Sequence, residues 1–512
     1  MTIKTEQINE KKTNHLSYLL LVIGTALFLV GNGRWIIPAA TWLFPIFIIR
    51  FLRTKRHPLN TVLCALAYIG MLMIAWYGLL DAPGILYYLI TGGVGLIMFL
   101  PFLVDKIFAA RMTGFWTTLV FPLAYTTVEY VFSLVNPYGT WTFLGYTQFG
   151  NLPLMQIVSI TGIFGITFLI TWFGSVVNWV WEQKFEWSKI GQGIKIYASV
   201  MVVVLLFGGV SLVFFSPKSN EVKVAGVQSD LPSKIIDPQE IEKRESIPAK
   251  IEYLIPKHKI VIDDLFTKSK GAAQSGARIV SWSEVSVMVF KADEPAFIDR
   301  GKQLAKEEQI YLVLAYGAIL HTDETLLPGK KMVENKVVII SPTGEVLSTY
   351  LKTNPVPGSE AMMSVIGTND IPVIDTPYGR LSVTICFEND FPAFTRKVGM
   401  AGVDILINPS GDWIEIDPYH TQIQAFRAIE NGFSTVRITA RGLSAAYDYQ
   451  GRTLATMDYF RTEDLVFTAY VPENGVTTIY SQIGDVFSWL CVAGFIAVSG
   501  KMLIKKKRSD LA

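Results

Sequence analysis

The sequence predicts a polytopic α-helical membrane bundle of about eight spans joined to a separate α/β domain, and three observations carry that prediction. Apolar residues fill 51% of the 512 positions and the mean hydropathy is +0.37, too apolar for an ordinary soluble chain. Apolar runs of the length a helix needs to cross hydrocarbon, roughly 17 to 25 residues, occur seven times before residue 216 and once more near 485–504. Between the seventh and the eighth lies a long segment of mixed polarity in which short β-rich runs alternate with helical ones.

The runs cover approximately 16–32, 35–52, 61–80, 84–104, 114–135, 154–181 and 195–215. No small-residue cleavage signature follows the first, so it reads as an uncleaved anchor. Lys4, Lys11 and Lys12 precede the first run, Arg53, Lys55 and Arg56 follow the second, Lys106 and Arg111 follow the fourth, and Lys184, Lys189 and Lys195 separate the sixth from the seventh. All fall on one side of an alternating path, as do Lys501, Lys505, Lys506, Lys507 and Arg508 after the eighth run. The positive-inside rule makes that side the cytoplasm, with both termini in it, and puts the middle segment outside. The expected organisation is a seven-span bundle at 1–215, an extracytoplasmic domain at 216–484, and a final helix with a basic tail at 485–512. Glu129, inside the fifth run, is expected to be functional or paired.

A formal net charge of +2 without a basic block interleaved with aromatics gives no footprint for nucleic acid. Lipid is the partner that composition points to. Of the three cysteines, Cys64 and Cys491 lie in apolar runs, so neither a disulfide framework nor a paired-cysteine metal site is indicated, and Cys386 is left to explain.

Within the middle segment Val222 to Gln228, Ala277 to Ser281, Ile310 to Ala318, Leu381 to Ile385 and Val403 to Asn408 are strand-like. Hairpins are predicted around Ser341-Pro342-Thr343-Gly344 and around Tyr449-Gln450-Gly451, and they look like related halves. Two sheets face to face with helices outside would accommodate both.

Cys386 ends the strand Leu381 to Ile385, and Phe387 to Pro392 reads as the start of a helix. A thiol there would meet the positive end of a helix dipole, which favours thiolate. A buried structural cysteine is the bland reading and, for a lone cysteine, the commoner one. Glu284 stands at the end of a second strand and Lys352 at the end of a third, where loops leave room for a substrate. Taken singly, either is usually a solvated surface charge.

Together, Glu284 in "SWSE", Lys352 in "STYLKTNPVPGSE" and Cys386 in "TICFENDFP" resemble the Glu-Lys-Cys triad of the nitrilase superfamily, in the superfamily's order. With seven upstream runs and one downstream, the chain resembles the apolipoprotein N-acyltransferases, the membrane-integral branch of that superfamily, over nearly its whole length. Glu360 and Glu388 resemble supporting carboxylates of the family, and Asn136 to Phe149 resembles its loop between spans five and six. Departures are Phe387 where the family has Tyr, Asn408-Pro-Ser-Gly-Asp-Trp413 in place of an Asn-Asp-Ala-Trp-Phe stretch, and the lack of an Asn-bearing turn near Arg441-Gly442.

The resemblance implies an αββα nitrilase-like sandwich, a ping-pong acyltransferase in the cytoplasmic (inner) membrane, and no cofactor. Glu284 would be general base, Cys386 the nucleophile that becomes a thioester, and Lys352 the oxyanion stabiliser, so that Lys352→Ala would lose activity with folding intact. The implied partners are a phospholipid acyl donor and a diacylated apolipoprotein acceptor. Trp282, Phe290, Met362, Met363 and Phe387 are expected to face substrate or lipid, in apolar loops that also carry Val287, Met288, Val289, Val365 and Ile366. No metal is expected, because His57, His258, His321 and His420 stand apart without ligand spacing. A membrane-tethered carbon-nitrogen hydrolase acting on a small amide is the alternative, and a catalytically silent scaffold a more distant one.

Overall fold

In the computed structural model, which describes residues 17–80, 82–244, 247–320 and 331–509, the chain divides into two units. One is made by the residues up to Phe214 together with those from Ile483 on, and the other is Phe215–Gln482. His321, Lys4, Lys11 and Lys12 lie outside the described residues, as do the side chains of Lys505, Lys506, Lys507 and Arg508.

The first unit is helical. Four of its described helices are long and apolar enough to cross a membrane: Pro58–Ala75, Ile85–Ala109, Phe164–Glu182 and Trp187–Phe214. Ser17–Leu29 and Val486–Met502 are apolar but shorter. Apolar runs do not translate one for one into long helices, and local geometry explains where they part. The run at 114–135 becomes a 3-10 turn, Phe115–Leu119, followed by a helix of only 14 residues, Val120–Ser133. The run at 154–181 is interrupted at Gly162, whose φ of 63° closes the short helix Val158–Thr161 before Phe164–Glu182 begins.

The buried carboxylates Asp105 and Glu129 of this unit are matched. Asp105, 2% exposed, receives Arg53 through two guanidinium nitrogens at 2.6 and 2.8 Å. Glu129 accepts the Leu144 amide at 3.0 Å and the Thr167 hydroxyl at 2.7 Å. His57 is a helix cap, its Nδ1 accepting the Leu59 amide at 3.2 Å.

Among its described residues the second unit holds thirteen strands: β1 Glu221–Val227, β2 Ile279–Trp282, β3 Met288–Phe290, β4 Tyr311–Ile319, β5 Val333–Ile340, β6 Val346–Leu351, β7 Val373–Thr376, β8 Gly379–Val383, β9 Ile405–Gly411, β10 Ser434–Ala440, β11 Leu443–Tyr447, β12 Thr453–Asp458 and β13 Val466–Pro472. They form two sheets, ordered β13-β1-β2-β4-β5-β6 with β3 beside β4, and β7-β8-β9-β10-β11-β12. Both sheets follow one plan. An antiparallel edge strand leads to three parallel strands (β1, β2, β4 or β8, β9, β10) and then an antiparallel hairpin. The parallel strands are buried on both faces, which is why β4 reads as an unbroken apolar run rather than an alternating one, and why β9 opens on three consecutive apolar residues.

The likeness of the halves extends to their turns. Ser341 Oγ accepts the amides two and four residues on, at 3.3 and 3.1 Å, and Asp448 Oδ1 does the same for Gln450 and Arg452 at 2.8 and 2.9 Å. Each hairpin also carries a register shift beside its turn, at Ile339/Ile340 and at Ala446/Tyr447.

The sheets pack face to face. A Cβ on Gly226 of β1 would stand 2.5 Å from Ile438 of β10, so only glycine permits this approach. Ile247–Gln274 and Glu294–Glu308 cover the outer face of the first sheet through Val261, Leu265, Phe266, Phe297 and Leu304. Tyr419–Asn431 covers the second, giving an αββα sandwich.

Candidate active site

Three strand ends deliver three reactive side chains, and the two-sheet geometry brings them together. Cys386 follows β8 at φ 48°, a left-handed conformation that is rare for a residue with a Cβ. It opens a five-residue 3-10 turn, Cys386–Asp390, and a helix proper begins only at Pro392. The thiol is 3% exposed, with Sγ 3.7 Å from the Gly411 carbonyl oxygen. Burial first, and then the charge of Glu284, push the Cys386 thiol well above the ordinary range, against the opposing pull of Lys352 and Arg437. The expectation of a dipole-stabilised thiolate is thereby corrected: a single 3-10 turn has few aligned peptides, and desolvation of the anion outweighs it. A resting thiol needs a base.

Glu284 follows β2, its amide donating to the Ser410 carbonyl at 3.3 Å. The next residue, Val285, is β-branched and held at φ 44°, a backbone strain that the surrounding sheets must impose. Lys352, just beyond β6, is 1% exposed and donates to Glu284 Oε1 at 2.7 Å and to Glu360 at 2.8 and 3.0 Å. Asn335 of β5 donates to the same two carboxylates at 2.8 and 3.0 Å. Burial opposes the Lys352 charge, yet Glu284, Cys386 and Glu360 together raise it above the ordinary lysine range. Lys352 is thus a structural counter-ion as well as a candidate electrophile, so its removal would not leave folding intact as the sequence suggested.

Glu360 lies in the first turn of the short helix Ser359–Met363 and accepts the Val356 amide at 2.8 Å, which folds the loop after Lys352 back on itself. Glu388 is fully buried within the nucleophile's turn and accepts the Ile385 amide at 2.6 Å, the Tyr350 hydroxyl at 2.7 Å and the Thr353 amide at 2.6 Å. Burial pushes its carboxyl up to about 7 even so.

Residues 23–176 match the family model described as the apolipoprotein N-acyltransferase N-terminal domain, and residues 245–479 match carbon-nitrogen hydrolase. An apolipoprotein N-acyltransferase of Geobacter metallireducens is 28% identical over 418 residues, 77% of this chain and 75% of that one. One from Rickettsia prowazekii is 25% identical over 401 residues, 74% and 75% of the two chains. Across three quarters of its length the chain is similar to apolipoprotein N-acyltransferases. An amidase of Nesterenkonia sp. is similar in structure at 18% identity over 52% of this chain and 94% of the amidase, with a TM-score of 0.39.

Not every residue expected to face lipid or substrate does so. Trp282 has no exposed surface: its indole N–H donates to Ser269 at 2.8 Å and its ring packs among Phe266 and Phe297, because β2 is covered on both faces. Phe387 is 5% exposed and stacks edge-on against Phe391 at 5.2 Å. Val287 and Val289 belong to the core, and Phe290 is half-buried. Met362 at 69%, Met363 at 44% and Ile366 at 56% are exposed, on a loop pinned to β5 by the Val365 amide and the Val333 carbonyl at 2.9 Å.

His420 does not stand apart. One of its nitrogens, an Asp412 oxygen and Cys386 Sγ lie within 4.8 Å of one another, a grouping with metal-ligand spacing among the described residues. These side chains are already engaged with each other: His420 meets Asp412 at 2.9 Å and Asp390 at 3.0 Å, and Arg437 meets Asp412 at 2.9 Å. Burial and Arg437, 2.8 Å from Nδ1, oppose a charge on His420, but Asp390 and Asp412 outweigh them and raise it to about 9. Asn335, Tyr350, Asp412 and Arg437 were missed as site residues. A signal existed for Arg437 alone, a charge in the middle of an otherwise uncharged strand.

Proposed function

We propose that this enzyme transfers an acyl chain from a membrane phospholipid, through a Cys386 thioester, to the N-terminal α-amine of the diacylglyceryl-cysteine of apolipoproteins. The observation that carries the reading is the union, in one chain, of the family's N-terminal membrane domain with a carbon-nitrogen hydrolase domain whose Glu284, Lys352 and Cys386 meet in a buried cluster.

Glu284 Oε1 is engaged by Lys352 and Asn335, which leaves Oε2 as the base for the thiol proton. Sulfur attacks the ester carbonyl, and the Lys352 charge stabilises the tetrahedral oxyanion, an effect of typically a few kcal/mol. The C–O bond breaks, Glu284 returns the proton to the departing lysophospholipid oxygen, and the thioester remains. The acceptor amine then attacks the same carbonyl, Glu284 takes its proton and passes it to Sγ as the C–S bond breaks, which releases the amide product and restores the Cys386 thiol. Exposed Met362, Met363 and Ile366 suit a loop that meets lipid.

We read the eight apolar runs of the sequence as eight crossings of the cytoplasmic membrane. The one-sided Lys and Arg flanks then place both termini in the cytoplasm and the catalytic domain outside.

Intact mass spectrometry after incubation with phospholipid, beside Cys386→Ala, tests the reaction. A hydroxylamine-labile acyl adduct on the wild type alone is expected. No adduct, with turnover of small amides instead, would overturn it.

A further inference from the structure

A second buried ion pair flanks the nucleophile, and the chemistry above makes no use of it. Arg437, with no exposed surface in the middle of β10, donates to Asp412 Oδ1 at 2.9 Å and to Asn408 Oδ1 at 2.6 Å. Its guanidinium also reaches the Cys386 carbonyl oxygen at 3.5 Å, and Asn408 Nδ2 lies 3.4 Å from that same oxygen. That carbonyl belongs to the residue held at φ 48°. From Asp412 the imidazole of His420 runs on to Asp390, at 2.9 and 3.0 Å. Asp390 is the last residue of the turn that Cys386 begins.

The contacts therefore close a ring: Cys386 carbonyl, Arg437, Asp412, His420, Asp390, and back along the turn. One end of the turn is gripped by Arg437 and Asn408, the other by His420. Filling a protein interior does not require such charges, since well-packed apolar groups in place of a buried pair are often as stable or more so. Arg437 and Asp412 act on the thiol in opposite electrostatic senses, so as a pair they are poorly suited to activating it by charge. What they do supply is geometry.

We propose that Arg437, Asp412 and His420 are positioning residues that lock both ends of the Cys386–Asp390 turn and thereby aim Sγ at Glu284 and Lys352. The inference rests on Cys386 being the nucleophile of the proposed reaction.

The test uses the full-length, detergent-purified protein and three readouts: the thermal melt, kcat and KM for phospholipid acylation of Cys386, and the rate of Cys386 alkylation by iodoacetamide, mapped by peptide mass. Arg437→Lys keeps the positive charge but cannot span Asn408, Asp412 and the Cys386 carbonyl at once. A cooperative melt is expected, with kcat down about 100-fold, KM little changed and alkylation slowed about tenfold, as for a reacting atom displaced by about an ångström. His420→Gln leaves Arg437 on Asp412 and cuts the link to Asp390, and should show the same split at about a tenth of the size in kcat. Should Arg437→Lys fail to melt cooperatively, His420→Gln decides. A folded variant whose kcat and alkylation rate both stay within about threefold of wild type overturns the proposal. Alkylation needs no lipid, so a wild type that alkylates as described but forms no acyl adduct would sink the acyltransferase mechanism and leave this inference standing.

Discussion

Glu388 Oε1 accepts the backbone N–H of Thr353 at 2.6 Å, which fastens the nucleophile's turn to the residue that follows Lys352. The carboxylate also holds Ile385 and Tyr350, so one side chain sets the distance between nucleophile and lysine. In Glu388→Gln an amide NH2 must face one of these donors, a buried mismatch worth roughly 1–3 kcal/mol. We expect a lower melting temperature and a loss of acylation far larger than that stability change explains. Wild-type acylation in a folded Glu388→Gln protein would remove it from the site.

Lys352 lies between Glu284 and Glu360 at 2.7 and 2.8 Å with 1% of its side chain exposed. Lys352→Met leaves two carboxylates facing each other without a cation, and breaking a buried pair in this way costs about 3–5 kcal/mol. Adding Glu360→Gln should restore much of that stability while activity stays lost. Additive destabilisation in urea melts of the single and double variants would show that the three groups do not share one electrostatic cluster.

The left-handed backbone at Cys386 predicts an inversion of the usual substitution order. For L residues this conformation costs roughly 1–2 kcal/mol, whereas glycine adopts it freely. Both Cys386→Ala and Cys386→Gly should be inactive, and the glycine variant should melt no lower than the alanine variant despite its greater chain entropy. A clearly less stable glycine variant would argue that φ 48° carries no strain.

His420 is raised from an ordinary value of 6.5 to about 9, because Asp390 and Asp412 outweigh burial and Arg437. The folded protein therefore keeps a proton that the unfolded chain gives up between those values. This contribution is complete below about pH 6.5 and is lost as pH rises through about 9, a change on the order of 3 kcal/mol. Melting temperature should fall across that window in the wild type and fall less in His420→Gln. Parallel pH profiles for the two proteins would assign the loss to other groups.

Local patterns in the chain already determined a good deal about this protein. Apolar run length marked the helical regions, strand-turn-strand composition marked both hairpins, and the order of Glu284, Lys352 and Cys386 with their neighbours carried the resemblance to the family, all within stretches of a few residues. Helix length was less legible, since Gly162 and the turn at Phe115–Leu119 cut apolar runs that composition leaves whole. What only the tertiary structure decided are relationships between distant positions. Asn335 meets Glu284 from 51 residues away and Arg437 meets Cys386 across the same separation. Glu129 finds Thr167 from 38 residues away. Trp282, two residues before Glu284, and Phe387, next to Cys386, read as aromatics facing substrate or lipid until the packing of both sheets buries them. Hydrogen bonds and burial depend on position in space, and no periodicity along the chain encodes which strands will lie face to face.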